Sequence, residues 1–305
     1  MKKKSFPYLR ATECIRKMRG GSQSCLIRAE DGNFYIVKFL DNPQGSNILF
    51  NEAFGAELMR TIDIQVPKWC QIFFSDEFIY ANPSMWFEYE TSIQKPAAGF
   101  HFGSLCVSPH GAGIIYEMAP KSRFHLIANR EQFVGVFLFD LWANQGDSRQ
   151  AIFVQEVSGR AIHASFIDQG YLFGYGRHVR RDTPIAKMYI DPIVYSDLNI
   201  EMLLNLWESK ILSINIEEIR NSFEKLMIPR EWYTPRILDS AIFQLLQRKK
   251  MLGAFKLQIK YTLQEFCSEA SVDMPHLRPY YVPSNTSGAF CHLSNRLHVL
   301  SSCVY

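Results

Sequence analysis

The hydrophobic pattern changes its period near residue 120, and that change restricts the fold more than any single motif. Before it, short β-branched and aromatic runs alternate with turns. Ser24-Cys25-Leu26-Ile27-Arg28 and Phe34-Tyr35-Ile36-Val37-Lys38-Phe39 flank Glu30-Asp31-Gly32-Asn33, which predicts a hairpin with an Asp-Gly turn. A helix is predicted over Ser46–Asp63, from Leu49, Phe50, Ala53, Ala56, Leu58 and Met59, with Ser46 or Asn47 as cap. Val66-Pro67 ends it, and Lys68–Tyr80 returns to strand character. Residues 82–113, with Pro83, Pro96 and Pro109, read as loop, and Ile114–Met118 as a short buried strand stopping at Ala119-Pro120. Beyond that point the period is helical: Arg130–Trp142 is a hydrophobic helix, and Asn199–Leu212, Ile216–Met227 and Pro235–Phe266 are amphipathic. The pattern predicts an α+β chain with a strand-rich N-lobe over residues 1–118, a helical C-lobe over 119–270 and an extension over 271–305.

Composition closes off several other classes. A formal net charge of +3 is too small and too dispersed for a nucleic-acid partner, and Lys2-Lys3-Lys4 reads as a solvated run. No window is long and apolar enough to span a bilayer; the most hydrophobic run, Phe133–Trp142, is about half the required length and carries Asp140. The first residues lack a signal-peptide core, so a soluble cytoplasmic protein is expected. The seven cysteines are scattered without a CxxC or Cys/His cluster and read as free thiols rather than zinc ligands.

Chemistry-bearing residues follow in a definite order. Gly20-Gly21-Ser22-Gln23-Ser24 precedes the hairpin, where backbone N–H groups and hydroxyls can meet phosphate; it is not a Walker motif. Lys38 lies in a strand among apolar neighbours and needs a partner or an anionic ligand. Glu52 on the next helix is the natural partner, with Glu57 one turn on as fallback. Glu117 and Met118 follow the short strand, where a connector between lobes would offer backbone groups to adenine. Asp147 sits in a loop after the hydrophobic helix, free to orient or deprotonate a hydroxyl. Arg149 beside it is a candidate to neutralise a transferring phosphoryl group, and Gln150 offers an amide oxygen as a second magnesium ligand. Asp168, 21 residues beyond Asp147, ends an apolar strand and is followed by Gln169-Gly170, a setting that suits Mg²⁺. Asp140 reads as structural, buried by helical periodicity beside Phe137 and Leu141. Loop, lysine, glutamate, connector and two aspartates in that order point to phosphoryl transfer from ATP.

The chain resembles the HipA-like kinase family over about residues 10–250. The segments that carry the resemblance are Gly20-Gly21-Ser22-Gln23-Ser24-Cys25-Leu26-Ile27, Val37-Lys38-Phe39, Asn51-Glu52, Gly99-Phe100-His101-Phe102-Gly103-Ser104, Phe139-Asp140-Leu141-Trp142, Asp147–Phe153, Ile167-Asp168-Gln169-Gly170 and Ile228–Tyr233. The resemblance implies a protein-kinase-like bilobal fold, ATP with Mg²⁺, and phosphorylation of serine or threonine. By it Lys38 contacts the phosphates, Asp147 is the catalytic carboxylate and Asp168 the metal ligand. The catalytic loop of the family runs on through a histidine to an asparagine, and Ile152 stands at that last place here. The acceptor is open: a protein hydroxyl, Ser22 or Ser24 of the chain's own loop, or a small molecule. A nucleotide-binding pseudokinase acting as an interaction module is the alternative. His101 reads as a packed structural histidine.

Overall fold

The computed structural model describes residues 8–89, 91–106, 113–156, 159–174 and 187–270. The extension expected over 271–305 lies outside the described residues.

Five strands close into a barrel. β1 (Tyr8–Lys17) pairs antiparallel with β2 (Cys25–Ala29), and β2 with β3 (Phe34–Lys38) across the Asp31-Gly32 turn. Gly32 takes φ 81°, the left-handed conformation such a turn asks of its glycine. Helix α1 (Ile48–Thr61) follows, then β4 (Trp69–Phe74), which pairs parallel with β1 and so shuts the barrel. Strand character does not continue to Tyr80 as expected. The Ser75 side chain accepts from the Phe78 N–H and starts a short helix, α2 (Asp76–Ala81), with Asp76 and Glu77 in its first turn. The minimal pair β5 (Phe87–Glu88) and β6 (Ile93–Gln94) follows.

The stretch 82–113 is not all loop. β7 (Gly99–Leu105) lies between β3 and β4 in the barrel, pairing with both. Its glycines hide it from strand propensity, but Gly103 is required: a Cβ there would stand 2.4 Å from Cγ1 of Ile72 on β4. β8 (Gly113–Tyr116) is half-buried rather than buried, and joins β9 (Gln150–Glu156) and β10 (Ile162–Ile167) in a second, three-stranded sheet. The helices of the C-terminal part are α3 (Gln132–Trp142), α4 (Ile200–Ser213), α5 (Ile216–Lys225), α6 (Pro235–Lys249) and α7 (Leu252–Ala270). The expected single helix over Pro235–Phe266 is thus two. The break lies where Arg248 at the end of α6 folds back to donate to the carbonyls of Leu141 and Trp142, capping α3.

Two helices carry the packing. Ten of the eleven residues of α3 are buried, and Gly135 lets α4 approach so closely that a Cβ would meet the Trp207 ring at 2.4 Å. Eleven of the fourteen residues of α1 are buried, which makes it a core helix rather than an amphipathic cover. Phe50 and Phe54 of α1 contact Phe173, Phe223 and, for Phe50, Tyr233, so α1 belongs to the large core of the helical part. The barrel holds a separate core of its own around Val37, Phe39, Ile72 and Phe74. No helix among the described residues is long and apolar enough to cross a membrane.

Candidate active site

Alternation along β3 decides where Lys38 goes. Tyr35 and Val37 are buried, in the barrel core, so Phe34, Ile36 and Lys38 take the opposite face. From there the Lys38 ammonium reaches two carboxylates: Glu52 on α1, and Asp168 just past β10, whose Oδ1 lies 2.6 Å from Nζ. Glu52 is almost fully enclosed, its side chain 3% exposed, while Asp168 keeps 23%. Burial opposes the lysine's charge, yet Asp168 and Glu52 together outweigh it and hold its pKa above the ordinary value. Burial likewise pushes Glu52 up, with Asp168 adding to it and Lys38 opposing. Asp168 goes the other way. Burial would raise it, but the Lys38 and Arg149 charges keep its carboxyl below the usual range, so it stays ionised.

The backbone at Asp168 is strained. Its φ is 67°, a left-handed conformation that a non-glycine residue adopts only when its surroundings hold it there. Several contacts do so. The Gln145 amide donates to the Asp168 carbonyl at 3.0 Å, and the Gln150 amide nitrogen to Asp168 Oδ2 at 2.8 Å. From α1, Asn51 donates to the carbonyls of Gly170 and Leu172 at 2.7 and 3.1 Å, tying the helix that carries Glu52 to the loop that carries Asp168. Gly55, one turn along, leaves room for Leu172, whose Cδ1 would stand 2.4 Å from a Cβ. Gln145 gave no functional signal in the sequence, because a buried amide in a loop has no characteristic spacing, whereas Asn51 stands in one of the segments that carry the family resemblance.

Asp147 stands in the turn between α3 and β9, half-buried, with Oδ1 accepting from the Ser148 N–H at 2.8 Å. The neighbouring Gly146 N–H donates to the Tyr171 carbonyl at 2.8 Å, stitching this turn to the loop after Asp168. Burial, with the charges of Asp168 and Asp147 adding to it, raises the Tyr171 phenol above its ordinary value. Lys38, Glu52 and Asp168 thus form one ion-paired cluster, and Asp147 stands on a turn tied through Gly146 to the loop that follows Asp168.

Other expected site residues fall elsewhere. Arg149 does not point outward: it is 3% exposed, its guanidinium pairs through two nitrogens with Asp140 on α3, and its third nitrogen donates to the Ile167 carbonyl at 2.8 Å. That corrects the expectation that it meets a transferring phosphoryl group, since its fork is already engaged. Glu57, the fallback partner for Lys38, instead accepts from Trp69 Nε1 and Arg60 and lines a separate cavity of about 250 Å³ with Thr61, Asn215 and Phe223.

In the glycine-rich turn, Gly20 takes φ 113° and Gln23 φ 46°. The Gln23 side chain is engaged within the fold. Its amide makes a reciprocal pair with the backbone of Glu88, both bonds 2.8 Å, and accepts from Lys17 at 3.0 Å. The Ser22 carbonyl accepts from Asn42 at 3.1 Å. Ser24 is 5% exposed, so little of it reaches the surface of the turn. Gly20, Gly21 and Ser22 are what the turn presents. Glu117 and Met118 stand at exposed bends just after β8.

A divalent cation fits this donor set. No group of three or more His, Cys, Asp or Glu is assembled among the described residues. Mg²⁺ does not need one, because it takes one or two protein oxygens and fills its remaining positions with water and phosphate. Asp168 supplies one hard oxygen, and a half-turn of the Gln150 amide places its Oε1 where the amide nitrogen now touches Asp168.

His101 on β7 is fully enclosed. Nδ1 accepts from the Leu40 N–H at 3.1 Å while Nε2 lies 3.1 Å from the Ala97 carbonyl, which fixes a neutral ring. Burial drops its pKa to about 4, below that of the unfolded chain. Protonation would set an N–H against the Leu40 N–H, so the folded state binds the proton more weakly than the unfolded one. Stability is therefore expected to fall as pH drops from about 6.5 toward 4, by about 3 kcal/mol from this group alone. Urea unfolding at pH 7 and 5 reads it, and the His101→Gln protein should have lost that part of the slope.

Comparisons with known proteins bear on the family and the fold. The family model for HipA-like kinases matches residues 11–256. Among solved structures, CtkA, a proinflammatory kinase of Helicobacter pylori, superposes with a TM-score of 0.50 at 11% identity, over 83% of this chain and 98% of that one. The hydra Fam20 structure has a TM-score of 0.48 at 10% identity, over 85% of this chain and 88% of that one. At such identities the likeness to CtkA shows the fold alone. No curated protein matches the chain.

Proposed function

The chain belongs to the HipA-like kinase family, and from that premise we propose that it transfers the γ-phosphoryl group of ATP to a hydroxyl, with Mg²⁺ as cofactor and serine or threonine of a protein as acceptor. The observation that carries the reading is the Lys38 ammonium held between Glu52 and Asp168, a charged group kept enclosed beside an open carboxylate. Lys38 binds phosphate oxygens, and Glu52 keeps it ionised and aimed. The turn of Gly20, Gly21 and Ser22 covers the phosphates with backbone N–H groups. Glu117 and Met118, after β8, form the edge along which adenine lies. Asp168 and Gln150 are the groups that would hold the cation, which when bound neutralises charge on the phosphates. Asp147 orients the acceptor hydroxyl and takes its proton as the new P–O bond forms and the bond to ADP breaks.

Incubation with ATP labelled at the γ-phosphate, alone and with a protein lysate, tests this directly. Label is expected on a protein with wild type and not with Asp168→Ala. Label on small molecules alone would move the acceptor class. Mg²⁺-dependent stabilisation by nucleotide without transfer would replace the kinase with a nucleotide-binding pseudokinase, the reading that Ile152 in place of the asparagine keeps open.

A further inference from the structure

We propose that Arg149, with Asp140, is a positioning unit that sets the catalytic and metal-binding carboxylates at a fixed separation; the inference rests on the reading above and gives that site a further functional pair. Arg149 lies two residues after Asp147 and immediately before Gln150, so its guanidinium anchors the strand end on which both depend. Nε donates to Asp140 Oδ2 at 2.9 Å and Nη2 to Asp140 Oδ1, a planar two-point grip that a lysine cannot reproduce. Nη1 then donates to the carbonyl of Ile167 at 2.8 Å, one residue before Asp168. One rigid plane therefore touches α3, the start of β9 and the end of β10. Asp140 is fully buried on a helix that is itself buried along nearly its whole length, so it is a fixed post. Every donor of the fork that these bonds occupy is directed inward. The arrangement is a clamp behind the reacting groups, and neither member touches substrate.

A structural role alone would cost stability and leave the reaction parameters of the surviving folded protein alone. A clamp on the two strand ends that carry Gln150 and Asp168 predicts something else: weaker metal binding and slower turnover at unchanged ATP affinity. Arg149→Lys keeps the buried positive charge and loses the fork. It is expected to fold, to lower kcat about tenfold or more, to leave the KM for ATP within about threefold, and to raise the Mg²⁺ midpoint for nucleotide-induced thermal stabilisation by about 10- to 100-fold, the usual cost of losing a residue that orients a metal ligand. Asp140→Asn should give the same signature, and the double variant should be no worse than the more impaired single one, because both cut the same unit.

Multiplying effects in the double variant, with an unmoved Mg²⁺ midpoint, would mean that Arg149 acts on the phosphoryl group independently of Asp140, and would overturn the proposal. If Asp140→Asn does not fold, Asp140→Glu takes its place in the cycle, since it keeps the charge and shifts the post by one methylene. Wild-type protein that binds Mg²⁺–ATP without transferring phosphate removes the kinase reading and leaves the clamp to be decided on the Mg²⁺ midpoint alone. Wild-type protein that binds no Mg²⁺–ATP overturns both.

Discussion

Asp147→Asn is expected to fold like wild type, bind nucleotide like wild type, and lose about 100- to 10,000-fold in phosphoryl transfer, the range that a positioned acid–base group supplies. The structure separates these effects. The Asp147 side chain accepts locally, from the Ser148 N–H at 2.8 Å, and an asparagine Oδ1 satisfies that donor equally well. No buried charge is stranded and no packing is lost, so the melting temperature should stay within a degree or two. The proposed phosphate contacts run through Lys38, which Asp168 rather than Asp147 holds, so the affinity for ATP should hold. What disappears is the capacity to take a proton. Single-turnover transfer, measured beside nucleotide-dependent melting, reads both at once. Transfer at the wild-type rate in Asp147→Asn would remove Asp147 from the chemistry and leave Asp168 as the sole carboxylate to explain it.

How far such a site can be read from the chain depends on whether its parts are local. The β2–β3 hairpin, α1 and α3 are legible because an Asp-Gly turn and uninterrupted apolar periodicity are local signals, and the structure puts these elements within a residue or two of their expected ends. β7 is not, because Gly103 depresses strand propensity for a reason that lies on β4, where Ile72 needs the space, and Gly99 for its own φ of 139°. The break between α6 and α7 is illegible for a similar reason: Arg248 is bonded to α3, more than a hundred residues earlier. Within the candidate site the same rule holds. The partnership of Lys38 with a glutamate on the next helix follows from order along the chain. The inward turn of Arg149 does not, since it depends on Asp140 lying across the turn that follows α3, and a sequence shows an arginine beside an aspartate without showing which aspartate it holds. Gln23 fails the same way; its amide pairs with the backbone of Glu88, a contact that only the closed barrel creates.

The other large effect is expected at Lys38. Its ammonium joins β3 of the barrel to α1 of the large core and to the loop after β10, two elements that Asn51 already ties to each other. Lys38→Met leaves Glu52 enclosed without its cation and facing Asp168, and breaking a buried pair from one side costs about 3–5 kcal/mol. Transfer should be lost as well, since the phosphates lose their ammonium. Stability and activity can then be separated by a second change. Lys38→Met/Glu52→Gln removes the stranded carboxylate and is expected to regain most of the lost stability while remaining inactive.

The pH dependence carries an independent sign. Burial already pushes Glu52 above its ordinary value, and losing Lys38 removes the charge that opposed this. A carboxyl whose folded pKa exceeds its unfolded one binds its proton more tightly when folded, so stability falls as pH rises through that window and returns as pH is lowered. The deficit of Lys38→Met relative to wild type should therefore shrink from pH 8 to pH 5, and the Glu52→Gln background should abolish that trend. A deficit that is flat with pH, or a double variant no more stable than Lys38→Met, would mean that Glu52 is not the group the lysine holds in place.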